Sequence, residues 1–205
     1  MSGVLLLRGG RVVDGSGAPW VRADVLVENG RIAQVGRIDE HPAEVVDVDG
    51  LVVCPGFIDM HTHSDLVPLY DPPHLSKALQ GVTLEVIGQD GLSLAPATEA
   101  VERELAEALA GWNGAPDMER GWRSVAEYLS RFDDGVATNV AFLVGHGTLR
   151  MIAMGSDERA PTADELATMQ RLLREALADG AFGLSAGLTY APGMYADDAE
   201  IVALC

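Results

Sequence analysis

The sequence predicts an α/β fold, the first half of a (β/α)8 barrel of the TIM type preceded by a small N-terminal β module. Three observations predict it. The first fifty residues read as short β-rich runs joined by turn residues, Pro55-Gly56 breaks that pattern, and from Phe57 onward strands alternate with helical stretches. The division expected is residues 1–54 for the β module and 55–205 for the first four βα units of the barrel.

In the β module the strand candidates are Val4 to Leu7, Arg11 to Val13, Asp24 to Glu28 and Arg31 to Val35. Asn29-Gly30 between the last two is the signature of a type I′ hairpin, because both turn residues must take positive φ. Val45 to Val48 and Leu51 to Cys54 follow as further strand-like runs around Asp49-Gly50. In the barrel part the strands are Phe57 to His61, Val82 to Ile87, Asn139 to Val144 and Ala181 to Leu184, each short and apolar as a buried parallel strand should be. Between them the clearest helix is Ala163 to Ala178, with Leu166, Met169, Leu172, Leu173, Ala176 and Leu177 on one face. Thr162 and Glu165 fit a capping box and Gly180 fits a stop. Glu99 to Ala110 and Ser124 to Phe132 are further helices. Four βα units are half a barrel, and a whole one takes roughly 250 residues. With the chain stopping in the apolar run Ile201 to Cys205, the expectation is a piece of a protein about twice as long.

Composition narrows the function classes. At 205 residues and 48% hydrophobic, the chain can bury a core, and no apolar run approaches the ~18 residues of a membrane span. There is no basic segment ahead of an apolar core at the N-terminus, so no secretory signal is read and the cytoplasm is the expected compartment. Thirty-one acidic against fourteen basic residues give a net charge of −17, which repels nucleic-acid phosphates and anionic membranes and leaves a small molecule as the expected partner. Cys54 and Cys205 are too few for a disulfide framework and are read as free thiols.

The chemistry concentrates in Pro55-Gly56-Phe57-Ile58-Asp59-Met60-His61-Thr62-His63-Ser64-Asp65. Histidines at i and i+2 on a strand share a face, and at the C-terminal end of a barrel strand that face is the mouth. Imidazoles converging there suit a divalent ion such as Zn²⁺, which activates water and polarises a carbonyl.

With the βα alternation that follows, this run resembles the opening of a metal-dependent amidohydrolase barrel, PGFIDxHxHxD. More narrowly, the chain is similar to the N-terminal half of the N-acyl-D-amino-acid deacylase family. Gly88-Gln89-Asp90-Gly91, Gly145-His146-Gly147-Thr148 and Gly183-Leu184-Ser185-Ala186-Gly187-Leu188-Thr189-Tyr190 carry that closer match, all at C-terminal ends of strand candidates. The resemblance implies a metal-dependent hydrolase that cleaves the amide of an N-acyl-D-amino acid to a carboxylate and a D-amino acid. It implies one or two divalent metals, zinc foremost, with His61 and His63 as ligands. Many such deacylases read GNCG where this chain has Gly88-Gln89-Asp90-Gly91, so Asp90 stands in the place of a cysteine ligand and supplies a harder donor. The remaining ligands and the general-base aspartate are expected beyond Cys205. Tyr190 reads either as a substrate contact at the mouth or as packing of its loop against a neighbouring strand, and His146 either as a ligand or substrate contact or as a solvated, turn-forming loop residue.

The single lysine, Lys77, does not fall on the fourth strand, which weighs against relatives that bridge two metals with a carboxylated lysine there. Asp59 and Asp65 either orient an imidazole or satisfy backbone amides. Ser185 either lines the mouth or allows close packing, His74 reads as a helix start, His41 as a surface turn, and Tyr195 as loop packing. Two rival readings stay open: an amidohydrolase acting on a cyclic amide or amidine, and a non-catalytic barrel relative or inactive fragment.

Overall fold

The structure is a computed structural model that describes residues 3–39, 42 and 44–205, so the turn expected at His41 lies outside the described residues. The chain forms two compact units, Met1–Gly56 and Phe57–Cys205.

The first unit is a mixed sheet built on β1 (Val4–Val12). Strand β2 (Val21–Glu28) pairs antiparallel with β1, and β3 (Arg31–Gly36) pairs antiparallel with β2. On the other side β4 (Glu44–Asp47) and the short β5 (Val52–Val53) run parallel to β1. Asn29 and Gly30 have φ of 52° and 75°, as the type I′ hairpin between β2 and β3 requires. The two strands expected before Val13 are one, because Gly9-Gly10 is absorbed as a bulge between Leu7 and Gly10 rather than ending the strand. Asp24 fixes that bulge, its Oδ1 accepting from Gly9 N at 2.8 Å and its Oδ2 from Ile38 N at 3.1 Å. Gly10 is needed there, since a Cβ would sit 2.7 Å from Val53 Cγ2. Leu6, Leu26 and Ile38 form the small core of this unit.

The second unit is a curled, four-stranded parallel half-barrel in the order β6 (Phe57–Asp59), β7 (Val82–Ile87), β8 (Asn139–Gly145) and β9 (Gly183–Ser185). Short helices α1 (Val67–Tyr70) and α2 (Leu75–Ala78) link β6 to β7. Helices α3 (Glu99–Ala108), α4 (Ala110–Asn113) and α5 (Val125–Ser130) link β7 to β8, and α6 (His146–Met154) and α7 (Ala163–Ala178) link β8 to β9. After β9 come a 3-10 turn, Gly193–Tyr195, and α8 (Asp198–Leu204). Ile87, Phe142 and Val144 from the strands pack with Leu149, Met169 and Leu173 from the helices in one continuous core.

Helix α7 has the expected bounds, and the Thr162–Glu165 capping box is formed in both directions. Met169, Leu173 and Ala176 are buried, but Leu177 is 43% exposed and lines an open cleft beside Leu204 and Cys205. Ser124 caps α5 through a capping box with Glu127, and the helix ends at Ser130, short of the expected Phe132. The helix expected from Glu99 to Ala110 splits, because Leu109 leaves helical geometry (φ −97°, ψ 2°) and a separate turn of helix begins after it. The last strand starts at Gly183 rather than Ala181, whose N–H still bonds Ala176 O at the end of α7. Both cysteines are free and exposed. Among the described residues no helix is long and apolar enough to cross a membrane.

Candidate metal centre

Strand β6 ends at Asp59, two residues before the first histidine, so His61 and His63 lie beyond the ladder and not on the strand as expected. The strand stops because Asp59 Oδ1 accepts from His61 N at 3.3 Å, closing an Asx-turn that turns the chain out of the sheet. The two rings still converge, with centroids 5.5 Å apart and planes nearly perpendicular. The side chain of His61 is 59% exposed and that of His63 22%.

The third group comes from the loop after β7. Asp90 has φ of 57°, a left-handed conformation that aspartate tolerates better than most residues, between Gly88 and Gly91 at 75° and 76°. Its Oδ2 lies 3.1 Å from His63 Nε2 and 3.4 Å from His61 Nε2. One ligand atom from each of the three residues falls within 4.8 Å of the others, making them a group able to hold a metal ion.

The loop carrying Asp90 is held from several sides. Asp65 Oδ1 accepts from Gly88 N at 2.9 Å, and Gln89 Nε2 donates to Met60 O and Val86 O, each at 2.9 Å. Ser185 Oγ donates to Gly88 O at 2.5 Å and accepts from Gly91 N at 3.0 Å. The Tyr190 hydroxyl donates to the carbonyl of Asp90 itself. Of the two readings of Tyr190, the hydroxyl is used on the Asp90 loop rather than left free at the mouth, and burial, with Asp90 nearby, raises its pKa. Ser185 does more than allow close packing.

Asp65 satisfies the loop amide and lies buried, which pushes its carboxyl up to about 6 despite the Gly88 amide and the nearby His63. Tyr128 Oη donates to its backbone carbonyl at 2.6 Å. Asp59 is held below the usual carboxylate range by Lys77, whose ammonium touches its Oδ2. Trp112 of α4 stacks on the His63 ring, with centroids 4.3 Å apart at 24°, and next to it Asn113 Oδ1 accepts from Leu66 N at 3.0 Å.

His146 is placed differently from expectation. It is the first residue of α6 rather than a loop residue, and it is fully buried. Its Nε2 is 2.7 Å from Glu200 Oε1, and Arg150 Nη1 donates to Glu200 Oε2 at 2.5 Å. Burial holds the imidazole below its ordinary pKa, against the pull of Glu200. Since a carboxylate only accepts, the proton is assigned to Nε2, which leaves Nδ1 as an unpartnered acceptor. His74 starts α2 as expected but is buried, with Nδ1 3.0 Å from Glu85 Oε1 and out of line for a hydrogen bond. Tyr195 Oη donates to Glu158 at 2.9 Å.

Four contributors escape the sequence reading. Gln89 and Trp112 act on Met60 and His63, 29 and more residues away, Glu200 reaches His146 from 54 residues on, and Lys77 reaches Asp59 from 18 residues on. Gln89 alone had a local signal, its place beside Asp90 inside the glycine-bounded loop.

A half-barrel that gathers two imidazoles and a carboxylate at the C-terminal ends of its strands is built as part of a TIM-type barrel with a candidate metal centre in its mouth. The chain matches the amidohydrolase family over residues 44–203, and it belongs to that family. It is 42% identical over 203 residues to a D-aminoacylase of Alcaligenes xylosoxydans xylosoxydans, covering 98% of this chain and 41% of that protein. An N-acyl-D-glutamate deacylase of the same organism is 40% identical, over 96% of this chain and 40% of its own length. Among solved structures, a D-aminoacylase with a binuclear metal centre superposes with a TM-score of 0.87 at 40% identity, covering 98% of this chain and 42% of that one. The N-acyl-D-glutamate deacylase of Bordetella bronchiseptica, complexed with zinc and a phosphonate inhibitor, gives 0.85 at 39% identity, over all of this chain and 42% of that one. The chain thus spans about two fifths of the length of the curated relatives it matches.

Proposed function

We propose that the whole protein is a zinc-dependent hydrolase that cleaves the amide of N-acyl-D-amino acids, with His61, His63 and Asp90 of this chain holding the metal. The observation that carries the reading is the convergence of these three side chains in a chain about 40% identical to deacylases of that class.

The donor set fits the ion. Zinc bonds imidazole nitrogen and carboxylate oxygen at about 2.0–2.2 Å, so tetrahedral ligand atoms stand about 3.4 Å from one another. The Asp90 oxygen is 3.1 and 3.4 Å from the two imidazole nitrogens. When bound, the ion supplies Lewis acidity toward an acyl carbonyl and activates water for attack on it. The chain's own residues prepare the place. The Asx-turn at Asp59 directs the histidines, Gln89 and Asp65 fasten the Asp90 loop, Tyr190 and Ser185 clamp it from the far side, and Trp112 covers one face of His63. Asp90 gives the site a harder donor than a thiolate, which favours oxygen-preferring divalent ions as substitutes for zinc.

In this reading residues 1–54 are the accessory β module and 55–205 the first four βα units of the catalytic barrel. The partner is a small molecule, an N-acyl amino acid, rather than nucleic acid, whose phosphates a net charge of −17 repels, and the cytoplasm is the proposed compartment.

The test is turnover by the whole native protein on N-acetyl-D-amino acids, their L enantiomers and cyclic amides, before and after chelation. Hydrolysis confined to the D series, lost on chelation and restored by zinc, is expected. Cleavage of cyclic amides with an inert D series would overturn the substrate assignment.

A further inference from the structure

Lys77 is the only lysine in the sequence, and it sits behind the candidate metal centre without joining it. It lies on α2, and its ammonium touches Asp59 Oδ2, donates to Thr62 Oγ1 at 3.1 Å and stands 3.9 Å from Glu85 Oε2. The first two partners bracket His61: Asp59 closes the turn that presents its backbone, and Thr62 lies between the two imidazoles. Thr62 is buried, its oxygen accepts from Lys77, and it shares a hydrogen bond with Ser64 Oγ 2.7 Å away, just past His63, in which either hydroxyl can donate. One cation thus reaches the chain before, between and beyond the two histidines.

The same ammonium also stands beside Glu85. Glu85 is fully buried on β7, its Oε1 accepts from Thr138 Oγ1 at 2.7 Å, and its Oε2 has no hydrogen-bond partner. Two basic groups stand beside this buried carboxyl group, His74 Nδ1 3.0 Å from Oε1 and Lys77 Nζ 3.9 Å from Oε2, and Lys77 is about three-quarters buried itself. A compact ammonium can donate to Asp59 and Thr62 at once while keeping its charge beside Glu85, in a way a planar guanidinium does not. Lys77 is therefore tied to β7 by charge and to the histidine segment by hydrogen bonds.

We infer that Lys77 is a positioning residue for the metal centre, an ammonium strut that fixes the His61-Thr62-His63 segment against β7 through Asp59 and Thr62. The inference rests on His61 and His63 being metal ligands. It assigns Lys77 a role other than that of a metal bridge, because its nitrogen is committed to protein acceptors.

The experiment is zinc affinity of the whole native protein, measured by competition with a chromogenic chelator, alongside circular dichroism and melting of the metal-free forms. Lys77→Met is expected to weaken zinc binding about 10- to 100-fold, the range in which groups supporting metal ligands act. Lys77→Arg, which keeps the cation, is expected to recover part of that loss. Thr62→Val keeps Lys77, Asp59 and Glu85 together and removes only the hydroxyl between the histidines, and a loss of roughly tenfold is expected. Folded Lys77→Met protein that binds zinc as tightly as wild type overturns the inference. Should Lys77→Met fail to fold, Thr62→Val decides, and wild-type affinity there overturns it. Wild-type protein that binds no zinc, or binds it unchanged after His61→Ala and His63→Ala, overturns the metal-centre reading itself and this inference with it.

Discussion

Replacing Glu200 by glutamine should cost the fold about 3 kcal/mol. Glu200 is 2% exposed and receives two donors, His146 Nε2 at 2.7 Å and Arg150 Nη1 at 2.5 Å, from the first turns of α6. Arg150 is completely buried, and its other bonds go to neutral acceptors, Arg159 O at 2.8 Å and Asp157 O at 3.5 Å. Glutamine keeps the size of the side chain and one acceptor oxygen, but it removes the carboxylate that pairs with that guanidinium, its one ion-pair partner among the described residues, and turns an amide N–H₂ toward a donor. Breaking a buried ion pair by neutralising one partner costs about 3–5 kcal/mol, and the retained hydrogen bond places this change at the lower end. The loss is a large share of the ~5–15 kcal/mol that holds a typical domain together. Urea unfolding of the whole protein, followed by tryptophan emission, gives the difference directly. Arg150→Met combined with Glu200→Leu is expected to recover only part of the stability, since apolar groups can replace the buried pair at little cost but His146 Nε2 loses its acceptor. A loss below about 1 kcal/mol for Glu200→Gln would refute the reasoning, because it would mean that the pair is not buried or that water already serves Arg150.

Two further outcomes follow from the same geometry. The folded-state pKa of His146 is lowered by burial, so below its unfolded value near 6.5 the unfolded chain takes up a proton that the folded chain refuses. Stability should therefore fall as pH drops through about 6.5, and His146→Gln should flatten that part of the profile measured by urea midpoints between pH 8 and 5.5. Gly88→Ala would place a Cβ 2.0 Å from Leu143 O at a φ of 75°, so β7 and β8 must part. It should cost more than the ~1–2 kcal/mol of left-handed backbone strain and displace Asp90, read as lost zinc affinity in equilibrium dialysis.

Local patterns made most of the architecture legible. Thr162, Glu165 and Gly180 bounded α7, Asn29-Gly30 marked the hairpin, and the apolar run Val82 to Ile87 was a strand from end to end. Boundaries failed where a side chain competed with the ladder. Asp59 turned the chain out of β6, Asp24 let β1 run through two glycines, and the end of α7 retained Ala181. The histidine pair and Asp90 were legible as a cluster, although they meet through a turn and a left-handed loop and not through strand pleating. The environments of His146 and Tyr190 were not, because burial and partners depend on residues such as Glu200 that come near only in the folded chain.

The most direct test of the metal-centre claim is zinc-edge X-ray absorption on the zinc-loaded whole protein, compared with its Asp90→Ala variant. With His61, His63 and Asp90 as ligands, the native spectrum should show a nitrogen and oxygen shell at about 2.0–2.2 Å and no sulfur near 2.3 Å, and the variant should lose zinc or one oxygen from that shell. A sulfur scatterer, or a spectrum and zinc content unchanged by the Asp90 substitution, would contradict it.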